Sequence, residues 1–260
     1  MTTIWAILPA AGIGRRMGSN TPKQYLSLPQ VSSAGDAGAE KAVISHTIER
    51  LLDVSVIEKL VVVLHPDDRQ WPGLAMTDEQ RITTCVGGDE RYQSVLNGLE
   101  AISVEAQADD WVLVHDAVRP CVRSEDIERL IDTLAENSVG GLLGSSVNNT
   151  VKRVDSEGRV VATVDRSELW NALTPQMFRF GLLHEAIQDL VAKGETVTDE
   201  SAAMERMGHA PKMVEGSRDN IKITHQDDLI LAATILQSQS SCSKDEKGSW
   251  SQSSKMEKHC

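Results

Sequence analysis

Short runs of β-branched residues alternate with segments whose apolar residues recur at helical spacing. This alternation limits the fold more than any other feature, because it is the pattern of βαβ units wound about a mainly parallel sheet. Ile4 to Pro9, Leu60 to Leu64, Ile82 to Val86 and Trp111 to His115 read as buried strands. Between them, Val43, Ile44, Ile48, Leu51 and Leu52 mark one helix, while Val95, Leu96, Leu99 and Ile102 mark another. A third opens at Ser124 as N-cap and carries Ile127, Leu130, Ile131 and Leu134 along one face. The expected class is α/β, a twisted sheet with helices on both faces.

After Leu142 the pattern changes. Thr150 to Val154 and Arg159 to Val164 alternate as strands do, and Asp155-Ser156-Glu157-Gly158 joins them as a hairpin projecting from the α/β body. Helices are expected over Leu182 to Lys193 and Glu200 to Met207, ended by Gly194 and Gly208. Thr224-x-x-Asp227 resembles a capping box for a last helix running to about Gln237. From Ser238 the chain is Ser- and Lys-rich and reads as a disordered tail, and Val31 to Lys41 reads as a flexible loop. These boundaries predict one domain over residues 1–237, an arm at about 145–166 and a tail over 238–260.

Composition removes several classes of partner. Only 3% of the residues are aromatic, too few for platforms that stack bases. A net charge of -12, from 38 acidic and 26 basic residues, opposes general binding of nucleic acid. An anionic ligand therefore needs a local cluster of Arg and Lys. The cysteines Cys85, Cys121, Cys242 and Cys260 have neither zinc-ligand spacing nor disulfide density. No apolar run reaches membrane-spanning length, and a strand pattern beginning at Ile4 leaves no room for a signal peptide, so a cytoplasmic protein is expected. For the same reason Asn148-Asn149-Thr150 is not expected to be glycosylated.

The strongest chemical signal is Pro9-Ala10-Ala11-Gly12-Ile13-Gly14-Arg15-Arg16-Met17-Gly18, directly after the first strand. Glycines there let backbone N–H groups approach phosphate oxygens, and the arginines neutralise their charge. A dinucleotide fingerprint would need glycine at Met17, and a P-loop would need Lys-Ser/Thr where Ser19-Asn20 stand. Lys23 lies within reach of the same phosphates if the loop folds back. Asp116 and Arg119 follow the strand Trp111 to His115, where ligands of open α/β sheets bind; the carboxylate suits Mg²⁺ and the arginine a second phosphate. Gly87-Gly88-Asp89-Glu90-Arg91 forms a tight turn after another strand.

Together these segments resemble the 2-C-methyl-D-erythritol 4-phosphate cytidylyltransferases of the non-mevalonate isoprenoid pathway, from Ile7 to about Leu236. The motifs are Pro-Ala-Ala-Gly-x-Gly-x-Arg-Met at Pro9, Pro-Lys-Gln-Tyr at Pro22, Gly-Gly-x-x-Arg at Gly87 and His-Asp-Ala-x-Arg-Pro at His115. Val-Asp-Arg at Val164, Thr-Pro-Gln at Thr174, Thr-Asp-Glu at Thr198 and Asp-Asn-Ile-Lys at Asp219 complete the set. The resemblance implies a Rossmann-like nucleotidyltransferase fold and a metal-dependent, in-line transfer of CMP from CTP to a polyol phosphate, with release of pyrophosphate.

It further implies that Arg16 and Lys23 stabilise charge on the transferring phosphorus, while Arg166 and Lys222 position the attacking phosphate. CTP would be held by Pro9, Ala10, Ala11, Gly12, Gly14, Gly88, Asp89, Ser94, Asp116 and Ala117. The polyol phosphate would meet Arg119, Thr150, Arg166, Thr174, Thr198 and Lys222, and Mg²⁺ or another divalent cation would bind Asp116 and Asp219. The hairpin would embrace a second subunit, bringing Thr150 and Arg166 to the partner's site in a homodimer. Asn149 and Gln93 stand where the family often has aspartate, and the 31–41 loop is longer than usual. Two alternatives remain open: a ribitol 5-phosphate cytidylyltransferase of similar architecture, and a non-catalytic nucleotide-binding protein. Retention of Arg16, Lys23, Arg166 and Lys222 speaks against the second.

Overall fold

The computed structural model describes residues 2–12, 21–29 and 41–249, with side chains as far as residue 241. Gly14, Arg16 and most of the expected 31–41 loop lie outside the described residues. At the centre is a seven-stranded sheet in the order β3-β2-β1-β4-β8-β5-β9. Its strands are β1 (Ile4–Pro9), β2 (Ile57–Leu64), β3 (Ile82–Val86), β4 (Trp111–Val114), β5 (Gly140–Ser146), β8 (Trp170–Arg179) and β9 (Lys212–Glu215). All neighbours are parallel except β8, which runs antiparallel to both β4 and β5. The mainly parallel α/β expectation therefore holds.

Side-chain alternation on β1 explains why helices cover both faces. Ala6 and Leu8 point to one side, where they pack with Ile44, Ile48 and Leu51 of α1 (Val43–Leu52) and Ile127 and Leu130 of α3 (Ser124–Leu134). Trp5 and Ile7 point to the other, toward Val95 and Leu99 of α2 (Arg91–Ile102) and Leu183 and Ile187 of α4 (Phe180–Lys193). Each of these fully buried aliphatic side chains contributes roughly 1.5–3 kcal/mol by leaving water, so both layers are held by apolar burial rather than by ion pairs. A short helix α5 (Glu200–Arg206) joins the second layer.

A third cluster fixes the strand ends that matter for function. Leu229, Ala232 and Ala233 of α6 (Asp227–Ser249) pack with Leu28, Val43, Val118, Cys121 and Ile223. The backbone N–H of Ile223 donates to the carbonyl of Val118 at 2.9 Å, tying the segment before α6 to the loop after β4.

The hairpin is present as β6 (Val151–Val154) and β7 (Val160–Val164), a separate two-stranded ribbon. Gly158 adopts φ 78° in its turn, a conformation that favours glycine. Several sequence expectations need correction. The N-cap of α3 is Arg123 rather than Ser124, which is already helical; Glu125 and Asp126 supply the favourable charge of the first turn. The start of α6 is capped by Asp228, whose Oδ2 accepts from the N–H groups of Thr224 and His225, and not by Asp227. That helix runs on to Ser249, past Gln237 and into the stretch read as a disordered tail. Gln239 explains its first extra turn: Oε1 accepts from Arg50, and Nε2 donates to the carbonyl of Cys121 at 3.0 Å.

Candidate active site

Chain order turns at β1, which leads first to β2 and β3 on one side and then to β4 on the other. A crevice opens beyond the carboxyl ends of the strands at such a switch point. Here the loops after β1, β3 and β4 meet. Pro9, Ala10, Ala11, Gly12, Lys23, Gln24, Gly88, Asp89, Arg91, Ser94, Asp116, Ala117 and Lys222 line an open cleft. Every described residue expected to hold CTP is on its wall.

Local hydrogen bonds explain why these loops keep their shape. Gln24 is buried, and its Nε2 donates to the carbonyls of Ala10 at 2.7 Å and Gly12 at 3.2 Å, which holds the Lys23 segment against the first loop. Gly87 sits so close to that loop that a Cβ built there would lie 2.5 Å from the Cβ of Ala11. The next turn is held by Ser94, whose Oγ accepts from the N–H of Gly88 at 3.2 Å. Gln93 completes a capping box at the start of α2, its Oε1 accepting from the N–H of Glu90 at 2.9 Å. This residue therefore has a structural partner within its own turn.

Asp116 is the charge centre. Its Oδ1 accepts from Arg91 Nε at 3.1 Å, and its Oδ2 meets Lys222 Nζ at 2.9 Å and Arg119 Nε at 3.3 Å. Burial alone would raise its pKa, but Arg91, Lys222 and Arg119 overcome that and hold it far below the usual carboxylate range. The backbone beneath is equally determined. His115 Nε2 lies 3.1 Å from the carbonyl of Arg119, and its Nδ1 lies 3.0 Å from Thr174 Oγ1, which accepts from the N–H of Asp116. A neutral ring with its proton on Nε2 satisfies all three contacts, and burial pushes the His115 pKa down to about 4.

A second, more polar cleft adjoins the first. Arg119, Thr174, Thr198 and Lys222 line it, together with Leu173, Gln176 and Asp199; Arg91, Asp116 and Lys222 belong to both walls. Lys23 Nζ donates to the carbonyl of Ile223 at 3.2 Å, so the first lysine lies beside the segment that carries the second. A chain of net charge -12 thus places Lys23, Arg91, Arg119 and Lys222 on connected walls.

Three expected residues lie elsewhere. Asp219 is not on either wall: its Oδ2 is held by Arg123 and by Gln239 Nε2 at 3.3 Å. Thr150 and Arg166, at the two ends of the hairpin, are exposed and line neither cleft of their own chain. Conversely, the structure adds Gln24, Arg91, Gln176 and Glu200 to the site or its support. All four end or sit inside a motif visible in the sequence, but the Arg91–Glu200 contact spans 109 positions and no local pattern announces it.

The comparisons with known proteins agree with this geometry. The family model for 2-C-methyl-D-erythritol 4-phosphate cytidylyltransferase matches residues 4–238. The protein of that name from Hahella chejuensis is 48% identical over 233 residues, covering 90% of this chain and 92% of its own. That from Pseudomonas aeruginosa is 47% identical over 231 residues, covering 88% and 94%. Among solved structures, the Francisella tularensis 2-C-methyl-D-erythritol 4-phosphate cytidylyltransferase superposes with a TM-score of 0.72 at 36% identity, covering 90% of this chain and 100% of its own. A 4-diphosphocytidyl-2C-methyl-D-erythritol synthase gives a TM-score of 0.76 at 33% identity, covering 91% and 99%. With most of its described motifs meeting at one switch point and a match over nearly all its length, this chain belongs to the 2-C-methyl-D-erythritol 4-phosphate cytidylyltransferase family.

Proposed function

We propose that the chain transfers CMP from CTP to the phosphate of 2-C-methyl-D-erythritol 4-phosphate, with the nucleotide in the first cleft and the polyol phosphate in the second. The observation that carries this division is the common wall: Arg91, Asp116 and Lys222 face both clefts, so two anionic substrates would meet across them. A phosphate oxygen of the polyol phosphate attacks the α-phosphorus of CTP. The new P–O bond forms as the bond to the bridging oxygen of the β-phosphate breaks, and pyrophosphate leaves with that electron pair. Little covalent chemistry falls to the protein, so placement and fixed charge carry the rate.

Lys23 and Arg16 stabilise charge at the transferring phosphorus, while Lys222 and Arg119 orient the incoming phosphate. Ala10, Ala11, Gly12, Gly14, Gly88, Asp89 and Ser94 hold base and ribose. Asp116 fits a divalent cation of the Mg²⁺ type, which takes one or two carboxylates and draws its other ligands from water and substrate phosphates. Because cations hold both Asp116 oxygens, the fit requires one of them to move aside; Asp219 keeps Arg123 on Oδ2, while its buried Oδ1 has no hydrogen-bond partner among the described residues. When bound, the cation neutralises developing phosphate charge.

The hairpin supports a homodimer. It exposes Val154, Val160 and Val161 by 52%, 63% and 62%, with Trp170 beside it at 39%, an apolar ribbon that water does not favour. Docked on a partner, it would bring Thr150 and Arg166 to that subunit's second cleft. Among the described residues no helix is long and apolar enough to cross a membrane, and the proposal places the enzyme in the cytoplasm.

The test is pyrophosphate release from CTP, Mg²⁺ and 2-C-methyl-D-erythritol 4-phosphate, beside ATP, GTP, UTP and ribitol 5-phosphate. Release confined to CTP with the methylerythritol phosphate is expected. Exclusive use of ribitol 5-phosphate would refute the acceptor, and no release with any pair would refute the activity.

A further inference from the structure

Glu200 is a buried carboxylate with one visible purpose. It is 2% exposed, lines neither cleft, and has both oxygens on the guanidinium of Arg91, one through Nη1 and one through Nη2 at 3.1 Å. The remaining Arg91 donor, Nε, points to Asp116 Oδ1. Glu200 is itself placed from two sides. Gln176 of β8 accepts from the N–H of Ser201 at 2.8 Å, and Asp199 caps α5 by accepting from the N–H of Ala202 at 3.0 Å. The fork of Arg91 is therefore clamped by α5, and only its Nε side faces the reacting centre.

A buried carboxylate carries a desolvation penalty of several kcal/mol, so its placement behind a cleft arginine calls for a role. Arg91 lines both clefts, yet its charge is already matched. A free guanidinium there would grip the phosphates of substrate and product as a bidentate donor. Clamped, it steers one oxygen of Asp116 and leaves the other to Lys222 and Arg119.

We propose that Glu200 and Arg91 are a positioning pair. Glu200 restrains the Arg91 charge from the pyrophosphate portion of the nucleotide, and Arg91 fixes the orientation of Asp116. This inference rests on the cytidylyl-transfer reading for its kinetic part but not for its binding part.

The test combines turnover with calorimetric binding of magnesium pyrophosphate, using Glu200→Gln and the double variant Glu200→Gln/Arg91→Met. In Glu200→Gln the shape is kept and the restraint is lost. Pyrophosphate should bind roughly three- to tenfold more tightly than to the unaltered protein, while kcat falls about tenfold and the KM for CTP does not rise. In the double variant the surplus charge is gone, so pyrophosphate affinity should return to within about twofold of the unaltered protein while kcat stays low.

A purely structural pair would lower the melting temperature and kcat without tightening pyrophosphate. Unchanged or weaker binding in Glu200→Gln would overturn the restraint, and normal kcat in the double variant would overturn the orientation of Asp116. If Glu200→Gln is not recovered folded, the neutral double variant still decides the second point. Glu200→Asp decides the first, because its carboxylate is one methylene short of the Arg91 fork and the loosened guanidinium should also bind pyrophosphate more tightly; failure to do so would overturn the restraint. If the unaltered protein shows no turnover, the reaction assignment fails on its own, and the binding comparison still reports on the pair.

Discussion

The cleft and the hairpin arm hold their proposed functional residues under opposite conditions. In the cleft, Asp116 has three cationic partners, Gln24 and Ser94 tie neighbouring loops together, and His115 and Thr174 brace the backbone. In the arm, Thr150 and Arg166 are exposed at the ends of a two-stranded ribbon that no strand of the main sheet pairs with. One region positions its residues by internal contacts; the other leaves them to be positioned by whatever it docks on. The contrast predicts that cleft variants damage the chain that carries them, whereas arm variants damage a neighbour.

The sharpest way to break that contrast is complementation between subunits. Arg166→Ala and Lys222→Ala should each lower activity about 10²- to 10³-fold when alone. Dissociated and reassociated together, half of the dimers would be mixed and each mixed dimer would have one intact site, restoring about a quarter of normal activity. No recovery would place Arg166 in its own chain's site or outside catalysis. Lys23→Ala should be confined to the cleft, with kcat falling about 10²-fold and the KM for the polyol phosphate changing less than about threefold. An unchanged kcat would remove Lys23 from the reaction.

Glycine substitutions compare the two regions by stability. Gly87→Ala drives a Cβ toward Ala11 and Ser94, and overpacking of this kind typically costs about 1–3 kcal/mol. Gly158→Ala meets nothing within 4 Å and pays only for its positive φ, about 1 kcal/mol in the arm. Thermal unfolding should show the larger loss for Gly87→Ala, which should also raise the KM for CTP; equal losses with an unchanged KM would mean that the first loop tolerates displacement.

The last effect is electrostatic and confined to acid pH. His115 is depressed to about 4 when folded, against about 6.5 unfolded, so the unfolded chain binds more protons between those values and stability falls as pH drops from about 6.5 toward 4. His115→Gln should flatten that part of the curve by no more than about 3 kcal/mol. An identical pH dependence in the variant would show that His115 is not the group responsible.

How far the sequence reveals this arrangement differs between strands as it does between cleft and arm. The first four sheet strands are legible because runs such as Leu60 to Leu64 are rich in β-branched residues, although β2 itself starts earlier, at Ile57. β5, Gly-Gly-Leu-Leu-Gly-Ser-Ser, has no β-branched residue, and β8 contains Pro175; both form because they pair with each other, β8 also with β4 and β5 also with β9. The antiparallel course of β8 is a property of distant partners and has no local mark. Within the site, Asp116 and Arg119 were legible from their place beside a strand end, and Lys23 from its place after the first glycine loop. The link from Glu200 through Arg91 to Asp116 was not, since Glu200 and Arg91 alone each read as an ordinary surface charge. Nor does spacing separate Asp219 from Asp116: the Asp219 side chain turns to Arg123 at the start of α3, and meets Gln239 because α6 continues beyond Gln237.

The most direct test of the proposed reaction follows oxygen atoms rather than rates. 2-C-methyl-D-erythritol 4-phosphate carrying ¹⁸O in its phosphate would be turned over with unlabelled CTP and Mg²⁺, and both products analysed by mass spectrometry. Attack by that phosphate on the α-phosphorus predicts every label in the cytidine diphosphate product and none in pyrophosphate. Label in pyrophosphate, or CMP formed with the polyol phosphate left unaltered, would contradict the division of the two clefts.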